Sequence, residues 1–394
     1  MKPQPPSIAP EAWFVSLCAR EPDAVFAHDL LASAQQVRDW PAVADLAVRH
    51  RVATYVLRSS ARAAVPLPDA AREQLSGESL TAHAQVMLLE SELKRVLGRF
   101  VANHIPVVVL KGPALARTLY AEPSLRPFSD LDLTVHPADD ERAAVALTSS
   151  GYTELLHDAD NSRPARTGQV PECGTYHRQF AGPGDRVLIE LHREPLQLGL
   201  EPVCEAERWD RAVPIPGLPG ALMLGLEDQL MQLSVHAHKH GFNRLIWFKD
   251  LDLLLRQHTG RVNWTLVAEV ARREGIQASV WWALQLTHAV LATPLPSAVA
   301  QLAPSRILQL LYAAMWPVAR VANLRGFVRR RAVQVYLAES WRGTLPSLVM
   351  MGRRRDRVRV LVEAFRQRRR TISTKTQPRL SSEQRRLNKF GTRI

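Results

Sequence analysis

The sequence predicts an α/β fold in which a small mixed sheet lies between an N-terminal and a C-terminal helical region. Helical spacing of apolar residues dominates residues 1–104 and returns from about residue 222 to about residue 311. Between them, short β-branched or alternating runs carry the pattern of strands, and Gly and Pro mark the joins.

In chain order, Trp40 to His50 has helical spacing, and a longer pattern from about Ser79 to Asn103 sets Val86, Leu89, Leu93, Val96 and Leu97 on one stripe. Pro66, Pro68 and Gly77 punctuate the stretch between. At Ile105 the period changes: Ile105-Pro106-Val107-Val108-Val109-Leu110 reads as a strand buried on both faces. Lys111-Gly112-Pro113 ends it, and Ala114 to Tyr120 reads as a short helix with Pro113 near its first turn. Ser129 to Val135 reads as a second strand, with Leu131, Leu133 and Val135 on one face and Asp130, Asp132 and Thr134 on the other. A helix follows from about Pro137 to Ser150, closed by Gly151. Beyond an irregular Gly- and Pro-rich region, Arg186 to His192 reads as a third strand, placing Glu190 and His192 on the face opposite Ile189 and Leu191.

Hydrophobic content of 46% and charged content of 23% are those of an ordinary globular protein. The formal charge of +13 is concentrated: residues 320–394 hold 21 of the 51 Lys and Arg and only 4 of the 38 Asp and Glu, a net +17, so the rest carries −4. Cys18, Cys173 and Cys204 form neither a CxxC pair nor a disulfide framework, and the N-terminus has no apolar core of a signal peptide. No transmembrane stretch is expected either, because the best run, Ile307 to Ala319, is short and contains Gln309 and Pro317. A cytoplasmic protein is the expectation.

Asp130 and Asp132 carry the chemistry. At i, i+2 on a strand, both carboxylates leave the same face a few ångströms apart. Hard cations such as Mg²⁺ take carboxylate oxygens, and phosphoryl or nucleotidyl transfer uses two such ions about 4 Å apart. Glu190, on a strand of matching polarity, is the candidate third carboxylate and a candidate base for the attacking hydroxyl. Leu110-Lys111-Gly112 offers a phosphate cradle: Gly112 for close backbone approach, helix N-terminal amides, and the Lys111 charge. Arg126 is a candidate bidentate phosphate clamp.

The order VVVLKG, Tyr120, Arg126, DLDL, Gly151-Tyr152, IELH, a His-bearing helix and Trp247-Phe248-Lys249-Asp250 resembles the bacterial uncharacterised nucleotidyltransferase family of the DNA polymerase β superfamily, over residues 40 to about 260. The resemblance implies a nucleotidyltransferase-fold domain with Asp130, Asp132 and Glu190 as metal ligands for Mg²⁺ or Mn²⁺. It implies transfer of a nucleoside monophosphate from an NTP to an acceptor hydroxyl, with pyrophosphate released. The superfamily's hallmark is a Gly-Ser pair where this chain has Lys111-Gly112.

The chain contains a second copy of the hexapeptide, Phe248-Lys249-Asp250-Leu251-Asp252-Leu253. Leu245, Phe248, Leu251 and Leu255 are spaced for a helix, where i and i+2 point far apart, so Asp250 and Asp252 cannot share a metal. For Asp250, structural pairing with a base is the favoured reading and lining the site the alternative. In His236-Ala237-His238-Lys239-His240, packing histidines at a helix end are the simpler reading, with His236 facing the cleft as the functional one. His192 is equally readable as support for a carboxylate or as a direct participant.

The reading is therefore an N-terminal helical region over 1–104, an α/β nucleotidyltransferase core over 105–220, a C-terminal helical domain over 221–325, and an Arg-rich helical segment and tail over 326–394. The tail is a solvated face or a contact for nucleic acid, an anionic membrane surface or a protein partner. Two rivals keep the same fold: an NTP-dependent phosphotransferase, and a catalytically silent nucleic-acid-binding protein. The acceptor stays open among small molecules, peptides or proteins, and RNA ends.

Overall fold

In a computed structural model the described residues are 8–155, 177–196 and 205–324. The Arg-rich stretch 326–394, with its expected contacts, lies outside the described residues, as do Cys173 and Cys204.

The described residues form a mixed α/β fold with one seven-stranded sheet. The strands are β1 (Val107–Val109), β2 (Leu131–Val135), β3 (Thr153–Leu155), β4 (His177–Ala181), β5 (Leu188–His192), β6 (Val213–Pro214) and β7 (Ala221–Met223), in the order β3-β4-β5-β2-β1-β7-β6. β2 runs parallel to β5 and β1 parallel to β7, while the other neighbours are antiparallel. The three strands read from the sequence are its centre and all are present. β3, β4, β6 and β7 were not expected, because they are short and lie among Gly and Pro.

Two hydrophobic cores flank each other along the chain. The long helix α5 (Asp69–Ala102) follows four shorter ones: α1 (Pro10–Cys18), α2 (Phe26–Ala34), α3 (Trp40–Arg49) and α4 (Ala53–Arg62). Its C-terminal half buries Leu89, Leu93 and Phe100 with Leu131, Leu133, Ile189 and Leu191 of the sheet. That same core takes Ala143 and Leu147 of α7 (Asp140–Thr148), which follows the short α6 (Gly112–Thr118). The apolar face of the β2 and β5 alternation is therefore the covered one. α5 begins ten residues earlier than the sequence pattern suggested, with Gly77 inside it; a Cβ there would meet no atom within 4 Å. An exposed glycine costs a helix only ~1 kcal/mol, which the packing of α5 overrides.

After α8 (Glu205–Arg211) come α9 (Leu226–Lys239), α10 (Leu245–His258), α11 (Trp264–Arg273), α12 (Gln277–Leu291), α13 (Arg306–Met315) and α14 (Val318–Ala322). These helices share one core with α1 to α4, joining Phe14, Leu30 and Val56 to Leu251, Leu284 and Tyr312. The helical regions at either end of the sequence thus pack as one body. Polar bonds stitch the join: Ala9 N donates to Asn323 Oδ1 at 2.6 Å, and Leu245 N donates to His50 Nδ1 at 3.2 Å. His50 Nε2 lies 2.9 Å from the Leu324 carbonyl, so Nε2 is the protonated nitrogen. Burial lowers the His50 pKa to about 4, keeping the ring neutral.

Gly112 has a packing role. A Cβ on it would stand 2.7 Å from Phe128 Cβ and 2.8 Å from Cγ, on the loop that leads to Asp130. Gly112→Ala is expected to destabilise the fold by ~1–3 kcal/mol in urea denaturation, as overpacking does. Unchanged stability would show that Phe128 is free to move.

Candidate active site

β2 and β5 pair so that Asp132 stands beside Glu190 and Thr134 beside His192. With successive residues on opposite faces, the parallel register brings both carboxylates to the face opposite Leu131, Leu133, Ile189 and Leu191. β4 adds Gln179 opposite Glu190 and His177 opposite His192.

Asp132 is the best-anchored of the acids. Its Oδ1 accepts from Lys111 Nζ at 3.0 Å and lies 2.7 Å from His192 Nε2. Oδ2 has no hydrogen bond among the described residues. Burial alone would raise the Asp132 pKa, but the Lys111 charge and the His192 hydrogen bond outweigh it and hold the carboxyl well below its usual range. Glu190 accepts from Gln179 Nε2 at 2.8 Å, and its Oε2 lies 3.4 Å from His192 Nε2. Burial opposes ionisation here too, yet the His192 bond brings the Glu190 pKa down. His192 moves the other way: burial disfavours its charge, and the two carboxylates more than restore it. Ligand atoms of Asp132, Glu190 and His192 all fall within 4.8 Å of one another, close enough to hold one cation.

Asp130, the residue before β2, lies outside that trio. It has no hydrogen bond among the described residues, and burial, followed by the charges of Asp132 and Glu190, pushes its pKa up to about 6. Three acids on one face repel each other; Asp130 has the weakest compensation.

Lys111 sits in a backbone conformation, φ 45° and ψ −117°, that glycine adopts without strain and lysine does not. The residue standing where the superfamily has glycine thus keeps glycine's dihedrals. Its buried ammonium points at Asp132 rather than outward. On its side-chain side, Gly112 lies directly against Phe128.

Arg126 and Asp250 form a buried ion pair. Arg126 Nε and Nη2 grip the two Asp250 oxygens at 2.8 and 2.7 Å, while Nη1 donates to the Pro127 carbonyl at 3.0 Å. Tyr120 Oη donates to Asp250 Oδ1 at 2.6 Å. Asp250 has no exposed surface and Arg126 is 5% exposed, so the guanidinium fork assigned to phosphate is spent on an internal carboxylate. Asp250 pairs structurally, as the favoured reading had it. Asp252, on the same helix, serves a separate network with Lys249, Arg256 and Thr293.

His236, in the last turn of α9, faces this region. Its ring stands edge-on to Trp247 at 5.0 Å and tilted to His240 at 4.7 Å, and its buried Nδ1 has no partner among the described residues. Burial, then the Lys111 charge, holds it neutral. His238 points elsewhere, to Ser279 Oγ at 2.8 Å.

Four residues of the site escaped the sequence reading. His177 and Gln179 lie on the unexpected β4. Arg51 and Arg244 come from the helical body: Arg51 Nη2 donates to Ser129 Oγ at 3.2 Å, and the Arg244 guanidinium lies 5.5 Å from the Trp247 ring centre. Arg51 carries the one visible signal, since it takes the left-handed position (φ 57°) closing α3, where glycine is the usual choice.

Two outcomes follow from this geometry. Asp250→Ala leaves the Arg126 charge buried without a partner and is expected to cost ~3–5 kcal/mol in urea denaturation, against under ~1 kcal/mol if water reaches that charge. Asp130 binds its proton more tightly folded than unfolded, so it lowers stability as pH rises from about 4 to about 6. In metal-free buffer with chelator, Asp130→Asn should therefore raise stability at about pH 7.5 by on the order of 1–2 kcal/mol and give no gain at about pH 4. A gain of equal size at both pH values would refute the assignment.

The profile of a family described as "Uncharacterised nucleotidyltransferase" matches residues 36–292, well over half of the chain. That span runs from before α3 to the end of α12 and includes the whole sheet with its carboxylates. Comparison with curated proteins finds no match. The mixed sheet, its acidic face and the extent of the match together place the chain in the uncharacterised nucleotidyltransferase family.

Proposed function

We propose that the protein is a divalent-metal-dependent nucleotidyltransferase that transfers a nucleoside monophosphate from an NTP to an acceptor hydroxyl and releases pyrophosphate. The observation carrying this reading is the register that sets Asp132 beside Glu190 on parallel strands, two residues from Asp130, within a nucleotidyltransferase family.

The residues fit a hard cation. Asp130 and Asp132 Oδ2 carry no hydrogen bonds among the described residues, and three acids crowded on one face are relieved by positive charge. Asp130, Asp132 and Glu190 would hold Mg²⁺ or Mn²⁺. Such an ion, when bound, supplies charge neutralisation at the phosphates. His192 adds a nitrogen within the same trio, but its Nε2 is occupied with Asp132, so its part here is orienting that carboxylate and keeping it ionised.

The protein's own groups then divide the work. Lys111 and His192 fix one oxygen of Asp132 and leave the other for a ligand. Lys111 has two further N–H groups to offer a phosphate oxygen. Gln179 and His192 hold Glu190 in its ionised form beside the site, where it can accept the proton of the attacking hydroxyl. His236, kept neutral by burial and then by the Lys111 charge, is close to the site. The setting we infer is the cytoplasm, and the acceptor class is a hydroxyl of a small molecule, a peptide or an RNA end.

The test is incubation with each of the four NTPs and candidate acceptors, with mass spectrometry of products. A nucleotidyl mass increment with pyrophosphate is expected from the native protein and none from Asp132→Asn, whose shape is retained. A phosphoryl increment would convert the reading to phosphotransfer. Full activity of the Asn variant would remove Asp132 from the chemistry.

A further inference from the structure

Beyond the carboxylates, the site has a cationic side that the reading above does not use. Arg51 is brought there by its hydrogen bond to Ser129, the residue before Asp130. Arg244 is brought to the same place by the backbone clamp, since Leu245 N and Ile246 N donate to His50 Nδ1 and to the His50 carbonyl. Residues 51 and 244 are thus each one step along the chain from a bonded contact. Arg126 is close to them as well, and its charge is already matched by Asp250.

Neither Arg51 nor Arg244 reaches a carboxylate at ion-pairing distance among the described residues. Both are half-buried. Burial, then the neighbouring arginines, lowers the Arg51 pKa to about 10, and burial lowers that of Arg244. Two guanidinium groups held partly out of water, close to a third and sharing Asp130 as an anion without a direct ion pair, are only partly matched in the isolated protein. A multiply charged anion completes the match, and the planar fork of arginine matches phosphate oxygens bidentately. Arg51 also retains a left-handed backbone at a helix end where glycine would be strain-free, and Trp247 supports Arg244 from the side.

We propose that Arg51 and Arg244 form the seat for the polyphosphate chain of the nucleotide, the place that the sequence suggested for Arg126. The inference deepens the nucleotidyltransferase reading and rests on it only for the identity of the ligand. The seat joins the two ends of the helical body across the mouth of the acidic face, so the negative chain lies between cations on the helices and carboxylates on the sheet.

The probe is inorganic tripolyphosphate, titrated calorimetrically into the full chain with Mg²⁺ and again with chelator. The variants are Arg51→Gln, Arg244→Gln, the double substitution, and Arg261→Gln as an exposed control. Each seat substitution is expected to weaken binding by about tenfold or more, as loss of a charge-assisted hydrogen bond does, with Arg51→Lys recovering part of it. Melting temperatures of the seat variants should stay close to the native value, so that lost binding is read on folded protein. Native-like affinity in the double variant overturns the proposal, and so does absence of tripolyphosphate binding by the native protein. Arginine-dependent binding without transfer from any NTP upholds the seat and removes the nucleotidyltransferase reading. Transfer with an unchanged KM for NTP in the double variant does the reverse.

Discussion

A buried ion pair ties the acidic face to the rest of the molecule. Arg126 belongs to the loop that delivers Asp130 and Asp132, and Asp250 belongs to α10, deep in the helical body. The pair is bidentate, Tyr120 supplies a third hydrogen bond, and no water-facing surface remains on the carboxylate. Charges so enclosed hold each other firmly, because separating them exposes each to a medium that solvates it poorly. The sheet can therefore not drift relative to the helices without breaking this contact.

On that frame the charges are sorted. The sheet presents acids, with Asp132 and Glu190 held ionised by Lys111, His192 and Gln179. The helices present bases, two of which, Arg51 and Arg244, reach no carboxylate at ion-pairing distance among the described residues. A strained lysine at the end of β1 and a strained arginine at the end of α3 stand on the two sides. Strain of this kind persists only where surrounding packing over-determines it, and both residues face the acidic strand.

Much of the sheet's centre was legible in the sequence because alternation is a local signal. Leu131, Leu133 and Val135 against Asp130, Asp132 and Thr134 fixes which face carries polar groups, and the same logic at Ile189 and Glu190 selects the third acid. The second DLDL copy was separable because leucine spacing differs between strand and helix. The partner of Arg126 was not legible, since it lies 124 positions away and any acid on any helix would have served the pattern equally. Lys111 was placed correctly along the chain, but its target depended on a backbone twist that no propensity encodes. His177 and Gln179 were hidden because their strand lies beside a Gly- and Pro-rich stretch without periodicity. Arg51 and Arg244 looked like ordinary charged residues at helix ends.

The shared core of the first and last helices bears on how the chain acquires its structure during synthesis. The core around Phe14, Leu30 and Val56 is completed by helices made about two hundred residues later, and Ala9 waits for Asn323. The sheet with the second half of α5 closes its own core from residues 86–221, well before that. Contacts of long separation carry the larger loop-closure entropy and form late. The acidic strand is thus in place while the helices that bring Arg51 and Arg244 together are still apart. The cationic side is completed after the sheet, once residues 244–246 have left the ribosome and reached His50.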